Sequence, residues 1–309
     1  MSAPTGSAPV SPFLAFVSPQ DRSPMRVGLW LTLGLPMAFF GFAFVVLSAH
    51  ELDPGLLNRV TESGGVAGPH RLLSECALLG VQALAEIAAA LALLGAARLA
   101  FQRPAWTFAS PARPFAFKLM AMGLAVYGVL TAAGLAIDWA QGVKLLPPIL
   151  DLREPAADRL AYGLATLPLI LLTAAAEELA FRGALLQVTG AFVHTRIGLC
   201  VANGLMFAAL HLQANPIVFL DFAVTGGVFA YSVLELGGIE FSLGAHFANN
   251  FLLLMLQEPQ PTSAGSSPFR WSDLAAASTW VDLGEMAVIA IATIAAVRLI
   301  KRRRKSLRI

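Results

Sequence analysis

The chain has 309 residues, 57% of them hydrophobic and 13% charged, with a mean hydropathy of +0.70 and a formal net charge of +2. Soluble domains usually carry about 25% charged residues, so the composition excludes a soluble globular protein, and the near-neutral balance excludes a general pull toward nucleic acid. Apolar runs extend from residue 27 to residue 300 with no long polar block between them, which reads as one membrane-embedded domain rather than two soluble ones.

Residues 1–26 begin with a stretch rich in Pro, Ser and Ala that lacks the early positive charge and compact apolar core of a secretory signal, and they read as a disordered cytoplasmic tail. The first apolar run, Val27 to Ser48, is too long for a signal core and fits a bilayer core of about 30 Å at about 1.5 Å per residue. Seven further runs follow, near 76–97, 119–140, 162–187, 197–213, 216–234, 242–257 and 281–300. The expected fold is all-α, a polytopic membrane protein of about eight transmembrane helices, with residues 27–300 as a single domain. Cys76 and Cys200 both fall in apolar runs and read as small buried thiols.

Basic residues in short segments set orientation. The stretch Arg98 to Lys118 carries Arg98, Arg103, Arg113 and Lys118 with no acidic residue, and the tail 301–309, "KRRRKSLRI", carries six more. Both belong on the cytoplasmic side, which with eight spans puts both termini inside. The tail reads as a stop signal drawn to acidic headgroups rather than as a nucleic-acid site.

Ionisable side chains at membrane depth cost roughly 2.5–3.5 kcal/mol each on insertion scales and usually face the bundle interior. The fourth run contains "TAAAEELAFRGALL", residues 173–186. At about 100° per residue, Glu178 and Arg182 lie about 40° apart, whereas Glu177 lies about 140° from Arg182. Glu178 is thus the natural partner of Arg182, and Glu177 is left to face something else. In the fifth run Asn203, Phe207 and His211 form one stripe at a spacing of four. In the seventh, "HFANN" places His246 and Asn250 on one face, with Asn249 to the other side. Each feature alone reads as ordinary interhelical hydrogen bonding. Jointly, a free carboxylate and two histidines with an amide on neighbouring spans are the parts of a hydrolytic site: a base pair for a water, and donors for a developing oxyanion.

These residues fit Glu-Glu-x-x-x-Arg (Glu177, Glu178, Arg182), Phe-x-x-x-His (Phe207, His211) and His-x-x-x-Asn (His246, Asn250). In that order on successive apolar runs, over about residues 160–257, they resemble the CPBP family of intramembrane proteases, also called the CAAX prenyl protease 2 or Abi family. The resemblance implies an eight-helix membrane endopeptidase in which Glu177 with His211 activates water and His246 with Asn250 forms the oxyanion hole. Glu178, Arg182 and Phe207 support them. The substrate implied is a membrane-associated peptide or protein.

Glu177, His211 and His246 are also of the types that bind zinc, but HExxH is absent and Asn is an unusual zinc ligand. The expectation is a metal-independent mechanism with no cofactor. The rival class is a transporter or catalytically silent binding protein that uses the buried Glu, His and Asn for proton or ligand binding. Glu86, Asp138 and Asp221 either line the cavity or pair within the bundle, pairing being the preferred reading. One geometric tension stands out: Glu177 and His211 are equidistant from position 194, about 25 Å along fully helical arms, whereas His246 falls only about 7 Å into its run. An Ala- and Gly-rich, Lys-poor chain suggests a bacterial plasma membrane.

Overall fold

The computed structural model describes residues 11–56, 71–111, 113–142, 145–211, 215–256 and 277–306. Among the described residues all regular structure is helical, in eight principal helices: α1 (Pro24–Leu52), α2 (Arg71–Phe101), α3 (Phe117–Ala140), α4 (Ala156–Gly190), α5 (Arg196–Leu210), α6 (Pro216–Leu236), α7 (Glu240–Leu256) and α8 (Ala277–Ser306). Each expected apolar run carries one of them. Six, α1 to α4 with α6 and α8, are long and apolar enough to cross a membrane. Helices α5 and α7 have 15 and 17 residues, about 22 and 25 Å at 1.5 Å per residue, short of a full crossing.

The helix ends follow local chemistry. Thr195 caps α5 by accepting from the Gly198 amide, Asn215 caps α6 from the Ile217 amide, and Pro216 occupies the first turn, where a missing N–H costs nothing. Gly237, at φ +82°, ends α6 in the left-handed conformation that glycine adopts without strain.

Two segments differ from the sequence expectation. Residues 11–22, read as part of a disordered tail, form two short 3₁₀ turns, Pro12–Leu14 and Pro19–Arg22. Phe13 and Leu14 are buried against Leu186, Leu199, Val233 and Leu234, and the Ser11 hydroxyl donates to the Leu234 carbonyl. Phe13 and Leu14, the buried members of the short apolar run Phe13–Val17, seat the segment. At the other end α8 continues to Ser306, so the basic segment begins as helix rather than tail; Lys301 pairs with Glu235, and Arg304 donates to the Leu236 carbonyl at 3.2 Å.

The packing order runs α1 on α2, α2 on α4, α4 on α7 and α7 on α3, with α6 held between α5 and α8. Backbones touch where α3 crosses α7. A Cβ on Gly123 would overlap the Phe241 carbonyl oxygen, and one on Gly244 would overlap that of Met120. This crossing fixes the height of α7, and so of His246, two residues beyond Gly244.

The segment between α2 and α3 folds inward rather than skirting the bundle. Phe108 is buried with Trp30, Leu94 and Ala184, and its carbonyl oxygen lies so near Gly183 that a Cβ there would sit at 2.8 Å. Gln187 donates to the Thr107 carbonyl at 2.6 Å and accepts from Arg103 at 3.0 Å. Two residues after Phe108, Ser110 donates to the buried Glu240 at 3.0 Å, and Arg113 grips the same carboxylate with two contacts of 2.5 and 2.9 Å. One loop thereby clamps the lower half of α4 to the first turn of α7.

Gly244→Val should destabilise the protein by roughly 3 kcal/mol, the upper end for overpacking, because the opposing atoms are backbone and have nowhere to go. Thermal unfolding in detergent measures this; a variant as stable as wild type would refute the contact.

Candidate active site

Helix α4 is α-helical up to Glu177, and from Glu178 to Leu185 it widens into a π-helix. Such widening is rare and recurs at functional sites. Its local cause is visible on α5: the Asn203 amide donates to the Phe181 carbonyl at 2.9 Å, the same carbonyl that receives the Leu186 N–H. A side chain reaching into a helix ladder is a recognised way of deforming it.

Within this segment Arg182 and Glu178 are both fully buried and form an ion pair of 3.1 Å. Three aromatic rings surround the guanidinium, with its carbon 4.2 Å from the Phe207 centroid, 5.3 Å from Phe229 and 5.8 Å from Phe181. Rings at this range stabilise a cation that has lost its water. Glu178 also meets His246, whose Nδ1 stands 3.1 Å from Oε1. A carboxylate only accepts, so Nδ1 carries the proton and the His246 Nε2 edge is turned the other way, toward Glu177 Oε2 at 3.8 Å.

His211 reaches the same oxygen from α5. Its Nδ1 donates to the Phe207 carbonyl at 2.8 Å, and its ring stacks on Phe222 of α6 with centroids 4.2 Å apart and planes 25° from parallel. With Nδ1 committed as donor, the neutral ring presents the Nε2 lone pair, and that atom lies 3.9 Å from Glu177 Oε2. Glu177, His211 and His246 therefore converge, with each histidine held by its far nitrogen. Separations of 3.8–3.9 Å exceed a direct hydrogen bond and match a gap that one bridging water spans.

The depth mismatch in the sequence resolves in the inward loop. Phe108 abuts Gly183 and Ser110 binds Glu240, so Gly183 and the start of α7 lie at similar heights. Glu177 is six residues before Gly183 and His246 six after Glu240, about 9 Å of helix in both cases.

Asn250 lies one turn beyond His246, half-buried, and its Oδ1 accepts from Asn249 at 3.3 Å; Asn249 in turn accepts from Thr131 of α3 at 3.1 Å. The structure thus brings together Glu177, Glu178, Arg182, Phe207, His211 and His246, whereas the Asn250 side chain is engaged by its neighbour rather than by the histidines.

A cavity of about 500 Å³ opens onto this cluster between α1, α2, α4 and α5, lined by Trp30, Phe39, Glu86, Glu177 and His211 among others. Phe39 is 67% exposed on the outer face of α1, so the cavity communicates with the surface that faces lipid. Glu86, read as a paired bundle residue, accepts from Gln82 at 2.9 Å and lines the cavity beside Glu177. Asp138 and Asp221 line no part of it. Among the described residues no group of three or more His, Cys, Asp or Glu side chains is arranged to hold a metal ion.

Three features could not be found in the sequence: the π-helical turn, the Glu178–His246 bond and the Phe222 platform under His211. All depend on how α4, α5, α6 and α7 meet. A half-buried carboxylate between two oriented histidines, inside an all-helical bundle with a side opening, defines a polytopic membrane protein with a polar site among its membrane-spanning helices. Over residues 160–252 the chain matches the family model for type II CAAX prenyl endopeptidase Rce1-like proteins, in agreement with the motif resemblance. It is also 32% identical over 181 residues to the uncharacterized protein YyaK of Bacillus subtilis; the match covers 56% of this chain and spans 59% of the length of that relative.

Arg182→Met strands the Glu178 carboxylate without its cation and should cost roughly 3–5 kcal/mol, whereas pairing it with Glu178→Gln should recover most of that loss. Denaturant unfolding of the two single variants and the double variant measures the coupling; additive losses would remove the pair from the account.

Proposed function

We propose that the protein is an intramembrane endopeptidase that hydrolyses a peptide bond in a membrane-associated protein or peptide. The match of residues 160–252 supports a CAAX-type intramembrane protease at the level of the family. The observation that carries the reading is the convergence of Glu177 Oε2 on both Nε2 atoms at 3.8 and 3.9 Å, at the wall of a cavity that opens sideways.

A water between Glu177 and His211 meets two acceptors, the carboxylate and the Nε2 lone pair that the Phe207 carbonyl orients. Both its protons are thus directed at the protein, and its oxygen lone pairs are left to attack. As oxygen bonds to the scissile carbonyl carbon, one proton passes to Glu177 and the carbonyl becomes an oxyanion. His246 in its doubly protonated form, with Nδ1–H kept on Glu178 and Nε2–H left to donate, and Asn250, whose NH2 is not used in the bond from Asn249, are the donors on one helix face that can receive that charge. When the carbon–nitrogen bond breaks, the proton held on Glu177 moves to the departing amine, and the carboxylate is restored. The surrounding apolar side chains keep bulk water out, which strengthens each of these contacts. The donor set needs no metal in this scheme, and the expected membrane is the bacterial plasma membrane.

Peptides accumulating in cells with the wild type should be missing from cells with Glu177→Gln, and on the substrate so identified Glu177→Gln and His211→Ala should each lose at least about 100-fold in kcat with the bundle still folded. Asn250→Ala should lose a similar factor as an oxyanion donor. Activity should survive exhaustive chelation; loss restored by zinc would replace this mechanism with a metal-dependent one. Full cleavage by Glu177→Gln would end the assignment, and pH-dependent ligand flux without any cut would point to transport instead.

A further inference from the structure

Helices α5 and α8 each pack along α6. Between them runs a groove of about 990 Å³ that shares no residue with the cavity at Glu177. Its floor is one face of α6, from Leu220 through Val224 to Tyr231 and Glu235, positions three or four apart. From Leu220 to Tyr231 this floor is aliphatic and runs about 16 Å, half the thickness of a bilayer core of about 30 Å. Val201, Leu205 and Leu220 on its walls are 54%, 48% and 41% exposed, so the groove faces outward into lipid.

The two ends of the groove differ. At the Tyr231 end, Arg196 lies 2.6 Å from Glu235, Lys301 pairs with the same carboxylate, and Arg298 donates through Nε to the Tyr231 hydroxyl at 3.0 Å. That bond uses the inner nitrogen of Arg298, which lines the groove, and does not engage its two terminal nitrogens. Three cations gather there around one carboxylate among the described residues. Arg113, bound to Glu240, and Arg304, bound to the Leu236 carbonyl, put the other basic segment at this same end of the bundle. An aliphatic channel one leaflet deep with an excess of guanidinium groups at headgroup level is complementary to a single kind of molecule, an amphiphile with a long apolar chain and an anionic head.

We propose that this groove binds an anionic phospholipid, with one acyl chain along α6 and the phosphate on Arg196 and Arg298. Any lipid-facing groove fills with acyl chains; the cations decide which headgroup stays. A guanidinium matches a phosphate with two parallel hydrogen bonds, and basic pockets between helices favour acidic headgroups for this reason. Lipid held there would tie the start of α5 to the end of α8, two helices that otherwise meet through α6.

The full chain, purified in detergent and exposed to equal amounts of phosphatidylglycerol and phosphatidylcholine, tests the site by native mass spectrometry. The wild type should keep one phosphatidylglycerol through delipidation with a preference of roughly tenfold. The R196Q/R298Q double variant should lose that preference, and R298K, which keeps the charge but not the paired hydrogen bonds, should retain only part of it. Val224→Trp, which fills the apolar floor without touching the cations, should reduce retention of both lipids. Equal retention of the two lipids by the wild type, or an unchanged preference in R196Q/R298Q, would overturn the proposal. So would a dimer of the chain that Val224→Trp dissociates, since a second copy would then be the occupant.

Discussion

A guanidinium with no exposure to solvent is the most demanding object in this bundle, and Arg182 is held by a single carboxylate and a cage of aromatic rings. In a medium of low dielectric neither Arg182 nor Glu178 is tolerable alone, so the pair is kept together by the cost of separation rather than by a large net gain. That constraint propagates. Glu178, immobilised by Arg182, in turn fixes Nδ1 of His246. Phe207, beneath the guanidinium, lends its carbonyl to Nδ1 of His211. Both imidazoles are thereby aimed at Glu177 by contacts that trace back to one ion pair, and three helices are committed to one arrangement around it.

The inward loop supplies the second requirement, equal depth. Helices α4 and α5 reach further toward the basic end than α7 does, and a simple stack of spans would put His246 at the wrong height. Glu240, buried and bonded to Ser110, Arg113 and the Ala116 amide, fastens the start of α7 part-way into the bundle. Gly123 and Gly244 then allow α3 and α7 to close with backbone in contact. The position of His246 is therefore set by a loop and a crossing, neither of which contains a residue of the cluster.

Much of this was legible in the residues. Hydropathy located each helix, and the helical period put Glu178 with Arg182 and set Glu177 apart from both. What the period could not carry was anything decided between helices. Local angles cannot reveal that Glu178 also binds His246, that Asn203 opens the ladder of α4 at Phe181, or that Asn250 Oδ1 accepts from Asn249. Whether Glu86 pairs in the bundle or lines the cavity stays open in "ALAEIAAA", which does not say which face meets a cavity; it does both. Composition averaged over residues 1–26 hides the short run Phe13–Val17, whose Phe13 and Leu14 seat residues 11–22.

That N-terminal turn carries a consequence for biogenesis. Synthesis proceeds from the N-terminus, yet the hollow that receives Phe13 is built from Leu186, Leu199, Val233, Leu234 and Ile239. Some 220 residues separate Phe13 from the last of these, and they must emerge and assemble before Phe13 has anywhere to go. Docking of this turn therefore follows the meeting of α4, α5 and α6, and its arrival reports that they have already come together.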